Sequence, residues 1–156
     1  MKSNVKARLA PRPPGPAPEV SVIIGVKNGA TVLQGCLDSI AAQQGVSPEV
    51  IVIDSASTDG TAELIEQNAR AGKVSAYVSE PDHGLYEAWN KGLRRARGDW
   101  ICFLGCDDKF HDAGALRALL DAADPADCTW WPPAVPRPWY SAAHGRKREA
   151  RFSPAP

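Results

Sequence analysis

Two adjacent carboxylates, Asp107 and Asp108, follow an apolar segment, Trp100–Leu104, that has the length of a β-strand. Carboxylate oxygens suit Mg²⁺ or Mn²⁺, which proteins commonly hold through one or two carboxylates together with the phosphates of a substrate. The alternative is that the pair only begins a loop and caps the next helix. From the pair alone we favour that alternative, because short motifs often arise without a function.

A second polar stretch follows the apolar segment Val50–Ile53 and begins at Asp54. At the end of a strand, Asp54 could accept a hydrogen bond from a base or a ribose. The hydroxyls and carboxylate of 57–61 could simply cap a helix, and for Thr58 and Asp59 this interpretation is favoured. A helix N-terminus also attracts anions, so the two interpretations are compatible.

A third stretch, residues 79–92, has the sequence SEPDHGLYEAWNKG and places acids, a histidine and a glycine in a turn after a strand. Asn90 and Lys91 follow in the next helix. The plain alternative is a capped helix with Lys91 in solvent, and His83 alone is more often a surface residue than a catalytic base. Three apolar residues of this helix are predicted to lie in the core: Leu85, Ala88 and Trp89.

The apolar periodicity predicts alternating strands and helices with short connections. Strands are predicted at Val20–Val26, Val50–Ile53, Val74–Val78 and Trp100–Leu104. Helices are predicted at 31–44, from the 57–61 stretch to 71, at 85–97 and at 113–123. This order indicates a doubly wound α/β sheet, in which ligands bind beyond the carboxyl ends of the strands. All three polar stretches lie at such ends.

The charge pattern excludes several function classes. The 156 residues have a net charge of zero, but 1–18 carry +4, 19–128 carry −8 and 129–156 carry +4. A nucleic-acid-binding protein carries its basic patch on the folded body, so nucleic acid is not predicted as a partner.

No segment resembles a signal peptide or a membrane span. The four cysteines form no zinc pattern and fit a reduced, cytoplasmic setting.

Composition divides the chain into three parts. Residues 1–18 contain five prolines and are predicted to be a disordered leader. Residues 19–124 form the predicted α/β domain. Residues 125–156 are rich in proline, tryptophan and arginine and are not expected to continue the fold. We hypothesise that this tail is read out of frame or that the gene is truncated.

Four segments, in order, resemble motifs of family 2 glycosyltransferases with the Rossmann-like GT-A fold, which build polysaccharides from nucleotide sugars. The segments are VSVIIGVKNGA, IDSASTDGT, SEPDHGLYEAWNKG and GDWICFLGCDD, and the resemblance as a whole covers about residues 20–124. The chain departs from the family pattern at Gly25, Lys27 and Gly105, where the family commonly has Pro or Thr, an aromatic residue and an acid.

The resemblance implies a role for each polar residue. Asp107 would lie near the ribose of the donor, and Asp108 would hold Mn²⁺ or Mg²⁺ against its diphosphate, as a DXD-type pair. Asp54 would line the nucleotide pocket, and Asp82 and Asn90 would lie near the donor sugar or diphosphate. The reaction would transfer a glycosyl group, with inversion, from a nucleotide diphosphosugar to a saccharide or lipid-linked acceptor.

Further expectations follow from the same resemblance. The catalytic base is unknown, because nothing in 125–156 matches the part of the family that usually supplies it. Contact with the inner face of the membrane and a homo-oligomer are left open. A non-catalytic nucleotide-sugar-binding remnant remains the alternative. A receiver-like signalling domain is disfavoured, since its acid pair would follow the first strand rather than the fourth.

Overall fold

A computed structural model describes residues 17–123, together with three short strands at Lys6–Arg8, Tyr140–Ser141 and Arg146–Lys147. The chain divides into two compact units, residues 1–117 and 118–156. The first unit contains all the predicted site residues. Among the helices that the structure describes, none has the length and hydropathy of a membrane span.

The first unit is built on one five-stranded sheet. Its strands are β1 (Lys6–Arg8), β2 (Val20–Val26), β3 (Glu49–Asp54), β4 (Ala76–Ser79) and β5 (Trp100–Gly105). The order across the sheet is β1-β4-β3-β2-β5, and the four strands from β4 to β5 are mutually parallel. The predicted doubly wound α/β fold is confirmed. The four predicted strands are all present: β2 has the predicted bounds, and the ends of the other three differ by at most two residues.

Helices follow the strands as predicted. They are α1 (Leu33–Ala41), α2 (Thr61–Arg70), α3 (Leu85–Leu93) and α4 (Ala115–Ala122), the last of which continues into the second unit. The helix α3 packs on β2 and β3, and α2 packs on β3 and β4. Alternate strand residues meet α3 in a buried cluster that includes Ile23, Ile51 and Ile53, each with no exposed surface.

The leader differs from its prediction over three residues. Lys6–Arg8 form β1, which pairs antiparallel with β4, from Lys6 opposite Ser79 to Arg8 opposite Tyr77. The physical reason is that β4 would otherwise end the sheet with a row of unpaired backbone groups, which readily accept another strand. The remainder of the leader up to residue 16 lies outside the described residues.

The helix α3 ends at Leu93, four residues earlier than predicted. Beyond it, the backbone N–H of Arg97 donates to Glu49 Oε2 at 2.8 Å and to Ser21 Oγ at 3.2 Å, instead of to a helical carbonyl. The N–H of Gly98 also donates to Ser21 Oγ, at 2.8 Å. These bonds turn the chain towards the start of β5.

Two side chains of α3 depart from the predicted pattern. Leu85, predicted to lie in the core, is 48% exposed, whereas Ala88 is buried and Trp89 packs partly buried against the core cluster. Lys91, assigned to solvent in the plain interpretation, is only 8% exposed. Leu85 occupies the first turn of the helix, and its Cδ1 atom lies over Gly25 of β2, 2.7 Å from the position that a Cβ would take there, while about half of the side chain stays exposed.

The second unit contains the end of α4 and a two-stranded antiparallel ribbon. The ribbon pairs β6 (Tyr140–Ser141) with β7 (Arg146–Lys147). The prediction for the rest of the tail, including its suspected change of reading frame, falls outside the described residues and stays a prediction.

Candidate functional site

The loops that follow β2 and β3 are joined by hydrogen bonds at the carboxyl edge of the sheet. The N–H of Asn28 donates to Ser57 Oγ at 2.7 Å, and the N–H of Thr58 donates to Asn28 Oδ1 at 3.0 Å. The N–H of Gly29 donates to Thr61 Oγ1 at 2.9 Å. Asn28 has a φ of 51°, a left-handed conformation that asparagine tolerates well. The two loops therefore form one ordered floor.

Asp59 belongs to this floor as well as to the start of α2. Its carboxylate accepts from the N–H of Thr61 at 3.1 Å, and from the N–H of Ala30 in the other loop at 3.1 Å. The helix N-cap itself is Gly60, which has no side chain to offer. The pKa of Asp59 is lowered, first by the Thr61 hydroxyl and then by the Ala30 backbone.

Asp54 lies at the carboxyl end of β3 with none of its surface exposed. Its carboxylate accepts from the backbone N–H of Ser57 at 3.2 Å and from the hydroxyls of Ser57 and Ser79, the latter at 2.5 Å. A buried carboxylate needs such donors to offset the loss of its hydration. In this arrangement Asp54 fixes the strand ends beneath the loops, and its predicted contact with a base or ribose stays a prediction.

Asp82 follows β4 and is half-buried. Its Oδ2 accepts from Ser55 Oγ at 2.5 Å and its Oδ1 accepts from the N–H of Gly84 at 3.1 Å. Because Ser55 belongs to the loop after β3, this bond ties the loops after β3 and β4 together. Ser55 and Ser79 were not predicted as site residues, although each is a hydroxyl residue directly beside a strand end.

Asp107 and Asp108 are both exposed at the carboxyl end of β5. A Cβ atom placed on Gly105 would lie 2.6 Å from Asp108 Oδ2 and 3.0 Å from Asp107 Oδ1, so both carboxylates fold back over this glycine. The N–H of Gly105 donates to Asp108 Oδ2 at 3.1 Å. The absence of a side chain at 105 thus leaves room for one oxygen of each carboxylate beside this residue.

The chemistry of this pair fits Mg²⁺ or Mn²⁺ only if other ligands complete the coordination. Within the described residues, no group of three or more His, Cys, Asp or Glu side chains is placed to hold a metal ion. Magnesium commonly keeps waters and phosphate oxygens beside one or two carboxylates, which agrees with two ligands from the protein. Asp107 and Asp108 therefore fit a metal that arrives with a phosphorylated ligand.

The pair lies apart from Asp54 along the sheet edge. Because β2 separates β3 from β5, the ends of these two strands are about 10 Å apart, twice the usual spacing of neighbouring strands. Asp54 is moreover buried, and its carboxylate accepts from Ser57 and Ser79, whereas Asp107 and Asp108 are exposed, so the pair forms a separate group of carboxylates.

A buried lysine holds the start of α3 against the loop after β4. Lys91 Nζ lies 3.0 Å from Glu80 Oε1 and 3.2 Å from Glu87 Oε1, and donates to the carbonyl of Pro81 at 3.2 Å. Burial alone would lower the pKa of Lys91, but its bonds with the two glutamates raise it. This arrangement orders the segment that contains Asp82.

Glu87 also contacts His83, whose side chain is 97% exposed. Glu87 Oε2 accepts from the N–H of His83 at 3.0 Å and lies 2.8 Å from its Nδ1. These bonds, followed by the bond from Lys91, lower the pKa of Glu87 to about 2. Asn90 is half-buried in the second turn of α3, and in the described part of the chain no hydrogen bond joins it to the four aspartates.

A sequence profile of glycosyl transferase family 2 matches residues 21–135 and so extends beyond the predicted domain boundary at 124. The chain belongs to glycosyl transferase family 2. The predicted resemblance is confirmed, and the Rossmann-like GT-A assignment with it.

A curated relative of this family 2 chain is a longer protein. It is 36% identical over 118 residues to a PGL/p-HBAD biosynthesis glycosyltransferase of Mycobacterium tuberculosis, a match that covers 73% of this chain and 46% of that protein. The chain thus spans about half the length of this curated relative.

Two solved structures are similar in fold. The mannosyltransferase PcManGT from Pyrobaculum calidifontis, solved with GDP-Man and Mn²⁺, has a TM-score of 0.64 and 32% identity over 77% of this chain and 36% of its own. Residues 1–349 of S. aureus TarS, solved with UDP-GlcNAc, have a TM-score of 0.57 and 27% identity over 70% of this chain and 31% of that one.

Proposed function

We propose that this chain binds a nucleotide diphosphosugar and takes part in transfer of its glycosyl group, with inversion, to a saccharide or lipid-linked acceptor in polysaccharide biosynthesis. The observation that carries the proposal is the gathering of Asp107 and Asp108 over Gly105 at the edge of a family 2 sheet. The similarity to structures solved with GDP-Man and UDP-GlcNAc supports the class of donor.

Each residue has a proposed part in donor binding. Asp108 would hold the divalent cation, and Asp107 would lie near the ribose. Asp54 would line the nucleotide pocket, either directly or through the hydroxyls it orients. Asp82 and Asn90 would lie near the donor sugar or diphosphate. When bound, Mn²⁺ or Mg²⁺ would offset the negative charge that develops on the departing diphosphate.

The protein must also remove a proton from the acceptor hydroxyl. A carboxylate of suitable position would serve as the general base. We assign none of the described carboxylates to this role, because Asp54, Asp59 and Asp82 are engaged by hydrogen bonds within the floor. The base, contact with a membrane surface and homo-oligomer formation stay predictions.

Calorimetry of the full chain tests donor binding. UDP-GlcNAc and GDP-Man are titrated with and without Mn²⁺, and we expect Mn²⁺ to tighten the binding of at least one of them. Asp108→Asn should abolish that effect. The control is Asp99→Asn, an exposed acid just before the opposite end of β5. If Mn²⁺ has no effect on wild type, or if Asp108→Asn retains it, the proposed metal site is wrong.

A turnover assay then separates an enzyme from a binding remnant. Hydrolysis or transfer of the sugar from whichever donor binds is followed by release of the nucleoside diphosphate. Donor binding without release under any acceptor condition would support the remnant alternative. Release that disappears in Asp108→Asn and persists in Asp99→Asn would support transfer by this chain.

A further inference from the structure

One side of α1 faces the loop that contains Asp107 and Asp108. The contacts come from positions 35, 39 and 43, whose spacing of four places them one above another along a helix and its continuation. The loop between β5 and α4 runs from residue 106 to 114. Each of the three positions contacts this loop or the start of α4.

The first two contacts lie close to the aspartate pair. A Cβ on Gly35 would be 2.6 Å from Cε of Lys109 and 2.7 Å from its Nζ, so the Lys109 side chain lies directly across this glycine. Ser39 Oγ accepts from the N–H of Phe110 at 3.2 Å and donates to the carbonyl of Cys36 at 2.8 Å. The residues that follow Asp108 are therefore seated on α1.

Gln43 makes the third contact and uses both ends of its amide. Its Nε2 donates to the carbonyl of Asp112 at 2.7 Å, and its Oε1 accepts from the N–H of Leu116 at 2.8 Å. The backbone N–H of Gln44 adds a bond to the carbonyl of Ala113 at 2.7 Å. Because Leu116 lies in the first turn of α4, Gln43 also satisfies an N–H that a helix leaves without a partner.

We propose that Gln43, supported by Ser39, is a positioning residue for the divalent-cation site at Asp107 and Asp108. This inference rests on the proposed function. The loop is held at its start by Gly105, whose carbonyl accepts from the N–H of Asp108 at 3.1 Å, and at its far end by Gln43. With both ends fixed, the two carboxylates stay gathered before any ion binds.

Loss of Gln43, which holds the far end of the loop, should lower the affinity for the cation more than the affinity for the nucleotide. Removing a group that orients a metal ligand commonly lowers metal affinity by about tenfold or more. The floor formed by the loops after β2 and β3 does not involve Gln43, so binding of UDP or GDP without metal should change less than about twofold.

The experiment compares two glutamines of the same helix region in the full chain. Gln43→Ala removes the anchor. Gln34→Ala is the matched control, because Gln34 bonds to Asp38 and Asn68 and thus joins α1 to α2. Free Mn²⁺ is measured by electron paramagnetic resonance in the presence and absence of UDP and GDP, and thermal unfolding is recorded for every variant.

The expected result is a tenfold weaker Mn²⁺ affinity in Gln43→Ala, an unchanged affinity in Gln34→Ala, and a lowered melting temperature in both. Ser39→Ala should also lower the affinity for Mn²⁺, and this variant supplies the test if Gln43→Ala does not fold. Wild-type Mn²⁺ affinity in folded Gln43→Ala and Ser39→Ala would overturn the inference. If Asp108→Asn also leaves the affinity unchanged, the failure lies in the proposed metal site itself.

Discussion

Replacing Arg97 with alanine should destabilise the fold through the buried carboxylate of Glu49. The Glu49 side chain is 5% exposed, and its Oε1 accepts from Arg97 Nε at 2.5 Å. Its Oε2 accepts from Ser21 Oγ at 2.6 Å and from the backbone N–H of Arg97 at 2.8 Å. The variant removes the only charge partner in this group and one of the three donors.

The size of the stability loss depends on the donors that Glu49 keeps in the variant. Breaking a buried ion pair from one side costs about 3 to 5 kcal/mol, because a charge is left without its partner. Here Ser21 and the backbone N–H continue to donate to Glu49, so we expect about 2 to 3 kcal/mol. For a chain of this size that corresponds to a melting temperature lower by about 5 to 10 °C.

The effect should depend on pH. Burial raises the pKa of Glu49, but the bonds from Ser21 and Arg97 lower it further, so its native pKa lies below the usual value. In wild type the stability that Glu49 contributes is therefore present above its unfolded pKa, about 4.3, and is lost as pH falls below it. Without Arg97, fewer bonds oppose the effect of burial, so the pKa of Glu49 rises and its ionised form destabilises the folded state. The loss of folding stability in Arg97→Ala should therefore be greater at pH 7, where Glu49 is ionised, than at pH 4.

Urea unfolding followed by circular dichroism at pH 4 and pH 7 measures this difference. Arg94→Ala is the control, since Arg94 is an exposed arginine in the same segment after α3. Combining Glu49→Gln with Arg97→Ala in a double-mutant cycle isolates the pair. A loss in Arg97→Ala that is equal at both pH values, or no larger than that of Arg94→Ala, would refute the reasoning.

Three further experiments test the site and the core. Gly105→Ala should push the two carboxylates apart and weaken Mn²⁺-dependent binding of nucleotide in calorimetry, with little change in melting temperature, because the displaced atoms end flexible side chains. His83→Ala should raise the pKa of Glu87 from about 2 in a carbon-13 NMR titration, because it removes the imidazole bond, the largest cause of the lowered pKa, and keeps only the backbone N–H bond from position 83. Any stability from Glu87 would then be lost at higher pH as acid is added. Burial raises the pKa of Cys36 to about 12 and that of Cys102 to about 11, so iodoacetamide at pH 7.5 should label both only after unfolding, as read by mass spectrometry.

The strands β2 and β3 were predictable because each contains a run of consecutive apolar residues that are buried. VSVIIGV at β2 is apolar almost throughout, and every one of its residues is buried between helices on the two faces of the sheet. The position of Asp54 at the end of β3 followed from the same pattern. Its partners did not, because Ser57 and Ser79 are brought to it by the loop conformation and by strand pairing.

Long-range partners explain the features that the sequence did not predict. The burial of Lys91 depends on Glu80 and Glu87, and periodicity along α3 gives no sign of an acid supplied from the loop before the helix. The early end of α3 depends on Ser21 and Glu49, which lie far away along the chain. The pairing of β1 likewise depends on an open strand edge rather than on the composition of the leader.

The position of β2 in the sheet also has a consequence for synthesis of the protein. Val20 pairs with Trp100 in β5, so one neighbour of β2 lies 80 residues further along the chain. At a ribosomal rate of about 5 to 20 residues per second, that neighbour is made about 4 to 16 seconds after β2. During this interval the backbone N–H and C=O groups on the β5 side of β2 lack their final partners. The speed of translation between β2 and β5 should therefore influence how much of the protein reaches the native sheet.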